Sequence, residues 1–422
     1  MKCQLLSLLL LLASASLALA DDNWPQFRGP RGDGISDSKG LPAEWSADKN
    51  IKWKTAIHGK AWSSPVIWGK QVWMSSATED GHQLYAICVD RDSGKIIYDL
   101  KLFDIEKPQY CIPFNSYGSP TPCIEEGRVY ITFGAPGTAC LDTATGKVLW
   151  TRTDFVCNHF RSAGSSPLLH DDLIFMNFDG SDHQFVVALN KKTGETVWRT
   201  ERSIDYGDIE ASGKPRADGD FRKAFSSPRI ARIKGKDQLI SLGSKAIYGY
   251  DPANGKELWH LEIKTSFSGS DTPVIADGLI FYGTGHGATD LVAVQPGRSG
   301  VLDERDIVWR THKSVPTRSS VLVVDGLLYM TTDAGIVNCL DAGTGKVIWH
   351  DRIDGQYSAS PVYGDGKIYF VSEQGIATVL AAGKEFKVLA RNQLPDGFMA
   401  TPAIAGDALF LRTRTALYRV EK

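Results

Sequence analysis

The sequence has no Cys-x-x-Cys pair, no adjacent cysteines and no Cys-x-x-Cys-His. This leaves metal binding weakly supported and rules out covalently attached haem. It has no block of like charge, and its formal net charge is −2, so it offers no basic face to nucleic acid or anionic lipid. No Gly-x-Ser-x-Gly elbow, His-Glu-x-x-His helix or phosphate-cradling glycine loop is present. Gly283-Thr284-Gly285-His286-Gly287 falls in a strand-to-strand turn with no helix after it. No catalytic residue and no metal site is therefore assigned. Long helical periodicities are also missing. What is plentiful is glycine (41) and tryptophan (11), the signature of many short strands joined by tight turns.

One long apolar run exists, from Leu5 to Leu19, after Met1-Lys2 and before Ala20-Asp21. A basic start, an apolar core and a small-x-small end make residues 1–20 a cleavable secretory signal. Ser14 and Ser16 interrupt the run, which is short for a membrane span. Cys3 precedes the run, so no lipid anchor is expected. The expected product starts near Asp21, is periplasmic or secreted, lacks a transmembrane anchor and is a monomer. Residues 21–49 are rich in Gly and Pro and are expected to lie irregularly, held by Trp24, Phe27 and Trp45; residues 50–422 form one domain.

That domain is a repeat of roughly 40 to 60 residues, a period typical of propellers and solenoids. Each unit opens on a small or polar residue and a proline, as in Ser64-Pro65, Thr121-Pro122, Ser166-Pro167 and Thr401-Pro402, with Ser320-Val321 as the variant. Each closes on a small residue, x, Asp, two residues, Thr-Gly and an aromatic: Cys140 to Trp150 and Cys339 to Trp349 show it fully. Thr-Gly supplies the left-handed position of a tight turn, and the Asp bonds that turn's amides. Trp150, Trp198, Trp259, Trp309 and Trp349 are expected to pack between neighbouring units. The last unit stops after three strands, while an orphan strand around Trp53 stands before the first; together they would close the ring and remove its open edges. The expected fold is all-β, an eight-bladed propeller. The shortened seventh unit, at Leu380-Ala381-Ala382-Gly383-Lys384, leaves seven blades as the alternative.

The turn motif resembles the tryptophan-docking motif of quinoprotein (PQQ-like) repeat propellers, over nearly all of residues 51–420. That resemblance includes BamB-like propellers of outer-membrane protein assembly, which implies protein binding by rim loops. It also includes dehydrogenases that use pyrroloquinoline quinone (PQQ) and calcium. Those enzymes carry a vicinal cysteine pair and a Glu-Asn-Asp set that this sequence does not match.

Loops leading into each first strand and turns joining the second strand to the third share one face, where function is expected. Mapped through the repeat, that face carries Trp62, His82, Asn115, Tyr117, Asn158, His159, Arg161, His183, His286, Arg318 and Tyr357. Trp62 and Arg318 occupy matching positions three before the strand landmark, close to the central funnel. Cys111 and Cys157 sit in equivalent loops of neighbouring units, and a disulfide between them is expected. Two insertions, 99–118 and 202–224, project on the same face. The function expected is a non-catalytic binding or assembly scaffold for a protein or polymer partner; the alternatives are a PQQ-dependent dehydrogenase and a carbohydrate- or polymer-binding propeller.

Overall fold

The computed structural model describes residues 22–264 and 266–422; the signal expected at residues 1–20 lies outside them. Eight sheets, each built on four antiparallel strands and one of them extended by a fifth, follow one another around a ring. Blade 1 comprises Val66–Trp68, Gln71–Ala77, Gln83–Asp90 and Ile96–Asp104. Blade 8 takes three strands from the C-terminus, Ala403–Ala405, Ala408–Arg412 and Ala416–Val420, and its outermost strand, Ile51–Ala56, from the N-terminal side. Trp53 pairs with Arg419 and Thr55 with Leu417. This closure excludes the seven-bladed alternative.

The docking motif explains the spacing of the repeat. Asp142 Oδ1 accepts the backbone N–H groups of Ala144 and Thr145 and the Thr145 hydroxyl; Asp341 does the same for Thr344. The glycine that follows has two duties. Gly194 stands at φ +74° and Gly345 at φ +70°, and a Cβ on either would lie within 2.7 Å of the Trp150 or Trp309 ring of the preceding blade. Each docked indole then donates to a turn carbonyl of the next blade: Trp150 to Lys191, Trp198 to Pro252, Trp309 to Ala342, Trp349 to Gly383 and Trp53 to Arg91, at 2.8–3.1 Å. The small residue before the Asp lies directly across the strand pair from the indole, as Cys140 does from Trp150 and Cys339 from Trp349.

Trp259 departs from this pattern and donates to Gln238 of its own blade. There the insertion in blade 5 reaches back, and Gly300–Val301 pairs in parallel with Trp259 and His260, covering an edge that would otherwise stay open.

Blade 7 departs in another way. Its outer strand, Val388–Gln393, puts Ala390 opposite Val379, so the large and small positions are exchanged. The indole comes from elsewhere. Trp45 lies 6.5 Å from the Tyr369 ring, much as Trp349 lies 6.1 Å from Tyr329. Asn392 accepts the Trp45 backbone N–H and donates to Ala43 O, and the Tyr369 hydroxyl donates to Pro42 O.

The segment leading to Trp45 crosses the ring axis on the face opposite the insertions. Trp24 bridges Ile67 of blade 1, Pro25 O receives Ile124 N–H of blade 2, and Gly34 and Ser36 bond Tyr363 of blade 7. Residues 24–36 thereby floor the central channel and leave it open on the loop-bearing face. No helix among the described residues is long and apolar enough to cross a membrane.

Candidate functional site

The floored channel is a funnel of about 290 Å³, to whose wall every blade contributes. Its upper tier comes from the residue three before each strand landmark: Trp62, Ser119, Gly164, Phe225, Ser270, Arg318, Ser358 and Met399. Phe27 of the crossing segment lines the bottom.

The lower tier is built by the small residue immediately before each proline. Backbone N–H groups of Ser64, Thr121 and Ser166 donate to the hydroxyls of Thr121, Ser166 and Ser227 in the next blade. Around the other side, Thr272, Ser320, Ser360 and Thr401 donate to the hydroxyls of Ser320, Ser360, Thr401 and Ser64. Seven bonds of 2.8–3.1 Å thus tie blade to blade at the axis. The serine or threonine of each opening is therefore a ring link, a role its local sequence does not reveal.

Three buried guanidiniums lie around this ring. Arg28 donates to Asp33 O, Ser320 O and Val321 O, and Arg412 donates to Ser63 O and its hydroxyl. Arg229 lies against Gly32, where a Cβ would strike its Nη1. Burial pushes Arg28 and Arg412 down to about 9 and Arg229 to about 10. Asp271, which accepts Gly283 N–H, is pushed up to about 7 by burial.

The lip is asymmetric. The loop from the first insertion hooks over it: Trp62 Nε1 donates to Phe114 O and Lys60 Nζ to Pro113 O. The Phe114 ring lies 4.5 Å from the Arg318 guanidinium, joining blades 2 and 6. Arg318 is oriented by Asp333 at 2.9 Å and Glu373 at 3.3 Å. Arg161 sits between Phe160 and Ser162, both with positive φ (63° and 75°), a strained placement of the kind concentrated at binding loops. Its Nη2 lies 3.4 Å from Asp220. The second insertion is rooted by a buried bidentate pair, Arg202 with Asp179 at 2.6 and 2.9 Å.

Of the face residues singled out from sequence, the structure brings Trp62, Asn115, Arg161 and Arg318 together in the funnel. The others serve locally. His82 Nδ1 lies 2.7 Å from Ile105 O, and His286 packs edge-on against Phe267. His183 is exposed, bonded through its backbone to Asp182. His159 is buried, accepts Ala135 N–H and is pushed down to about 4 by burial, so it is neutral. Asn158 caps its own loop through Phe160 N–H, Tyr117 holds the first insertion by donating to Gln109 O, and Tyr357 is core, donating to Asp354 O. No histidine lines the funnel. The Cys111–Cys157 bond is not formed: both thiols are free, Cys111 Sγ near Ile112 O and Cys157 Sγ near His159 and His183 O. Sequence reasoning missed Phe27, Phe114 and Phe225 and the hydroxyl ring; Phe225 was legible, since it shares the register of Trp62 and Arg318.

A calcium–quinone pair does not fit this wall. Calcium takes six to eight oxygen ligands, carboxylates prominent among them, yet none of the wall residues is Asp or Glu. Among the described residues no group of three or more His, Cys, Asp or Glu could hold a metal.

The chain is 27% identical over 143 residues to a quinoprotein ethanol dehydrogenase of Pseudomonas putida, covering 32% of this chain and 21% of that protein. It is 23% identical over 251 residues to outer membrane protein assembly factor BamB of Yersinia pestis, covering 55% and 56%. It thus covers less than two thirds of either relative. A europium-containing methanol dehydrogenase shares the fold, with a TM-score of 0.73, 12% identity and coverage of 95% and 98%. A family profile described as outer membrane protein assembly factor BamB matches residues 85–351 and 299–385. With most of the propeller inside that match, the chain belongs to the BamB family of repeat propellers.

Proposed function

We propose that the chain is an exported, non-catalytic scaffold that binds a protein partner on its loop-bearing face, with the funnel at the centre of the contact. The observation that carries this reading is the funnel wall. Aromatic, hydroxyl and guanidinium groups converge there without a carboxylate, a free imidazole or an accessible thiol to act as base or nucleophile. On the same side of the ring the connecting loops leave Tyr110 and Val156 65% exposed and Phe114 41% exposed, the aromatic and apolar kind of surface that partner proteins cover. Membership of the BamB family supports the same reading. Photo-crosslinking from Tyr110 and Val156 in envelope extracts should capture a protein; capture from the opposite face only, or none, overturns it.

The dehydrogenase relatives supply the second reading, a quinoprotein oxidoreductase. Calcium and quinone added to the purified chain should produce no bound chromophore and no dye-linked alcohol oxidation. Turnover would replace the scaffold reading with the enzymatic one.

A further inference from the structure

The funnel has a surplus of hydrogen-bond donors. The ring hydroxyls, such as those of Ser64, Thr121, Ser166 and Ser320, each accept a backbone N–H from the blade before. None of these four gives its own proton to a described group, and each is at least 97% buried while lining the funnel. A buried hydroxyl that only accepts has a proton left to donate.

A second, independent feature has the same sign. Arg28 and Arg229 lie buried beside the crossing segment; the charge of Asp33 reaches both and that of Asp271 reaches Arg28, but neither arginine forms an ion pair among the described residues and the Nε of each has no partner. Buried charges are ordinarily paired. Hydroxyl protons left to donate in the wall, with buried guanidiniums behind it, suit one kind of guest, an oxyanion. Arg161 at the lip adds guanidinium donors that Asp220 alone does not use.

The rest of the wall sets the body that carries the oxyanion. Trp62, Phe225 and Met399 supply the apolar side chains of the upper tier, among Ser119, Ser270, Ser358 and Arg318. At about 290 Å³ the funnel is at the small end of ligand pockets, which span roughly 300–1,000 Å³. That suits a guest of one or two residues.

Resting on the scaffold reading, we propose that the funnel captures the C-terminal carboxylate of a partner polypeptide, its last apolar side chain seated on Trp62 and Phe225. Chain-end capture by converging donors is an established way of recognising peptides. The lip fits a chain leaving the cup: Phe114 lines the funnel and is exposed, available to the residues before the terminus. The same carboxylate chemistry could come from a free organic acid, and the experiment separates the two sources.

The test is fluorescence anisotropy on the purified full chain with a labelled pentapeptide ending in phenylalanine. The free acid is compared with its C-terminal amide, and N-acetyl-phenylalanine serves as competitor. The acid should bind at least tenfold more tightly than the amide. Arg161→Gln and Trp62→Leu should each weaken the acid severalfold with an unchanged melting temperature; the Ser166→Ala, Ser320→Ala pair should remove the preference for acid over amide. Equal binding of acid and amide, or no binding of either at millimolar peptide, overturns the proposal. Competition by N-acetyl-phenylalanine as strong as by the peptide overturns the polypeptide source and assigns the funnel to free acids. A protein captured by crosslinking while acid and amide bind alike would sink the cup and leave the scaffold reading standing.

Discussion

Blades 6 and 7 are neighbours with the same four strands, yet their seams are closed by different parts of the chain. In blade 6, Trp349 stands opposite Cys339, packs on Tyr329 and donates to Gly383. In blade 7, Ala390 stands opposite Val379, and Trp45, more than 300 residues earlier, supplies the ring over Tyr369. A propeller seam therefore needs a large ring in a defined volume more than it needs the ring from a given strand. Close packing sets that requirement, since an unfilled pocket forfeits contact with all its lining atoms. The substitution is incomplete: Trp45 Nε1 has no partner, so the volume is filled without the hydrogen bond to the next blade.

Breaking a regular seam should have the largest effect. Trp309→Ala removes an indole that is 9% exposed and docked on Ala342, and urea unfolding should show a loss of about 3–5 kcal/mol.

Asp271 tests the inner ring against the outer one. It stands two before the proline, where blades 1 and 4 have Ser63 and Ser226, and its folded pKa of about 7 lies above that of the unfolded chain. Its ionisation therefore opposes folding, with no penalty below about pH 4, a growing one up to pH 7 and a constant one above. Asp271→Ser should stabilise the chain at pH 8, by up to roughly 4 kcal/mol, and should have little effect at pH 4. A pH-independent difference would exclude this account.

Trp45→Ala comes next, at about 3 kcal/mol. Hydrogen exchange should show the loosening confined to blades 7 and 8. Uniform loosening would mean that Trp45 does not act as the missing seam residue. The smallest effect is expected at the axis, where Ser320→Ala deletes one ring bond, worth about 1 kcal/mol, as measured by a thermal melt.

The repeat was legible because it is local: Asp142, Thr145, Gly146 and Trp150 meet within one hairpin, and their spacing is dictated by turn geometry. The closure by Trp53 was legible because a strand without a sheet faced a sheet without its last strand. The site was legible only in part. Histidines drew attention to the face on which the funnel opens, but His82, His159 and His286 are consumed by local partners. The wall instead consists of ordinary serines and threonines whose neighbours lie about 40 to 60 residues away, beyond the reach of any local pattern. The paired loops of Cys111 and Cys157 are equivalent in sequence, but their thiols face different surroundings.

Sequence alone thus determined the repeat, the strand that closes the ring and the face that carries the long loops, because each follows from short-range hydrogen bonding and a repeated hydrophobic pattern. Only the tertiary structure decided that residues 24–36 floor the channel, that Trp45 completes blade 7 and that a ring of hydroxyls links the blades around the axis. These depend on which surfaces remain unfilled once eight blades have met, a property of the closed ring and of no single repeat.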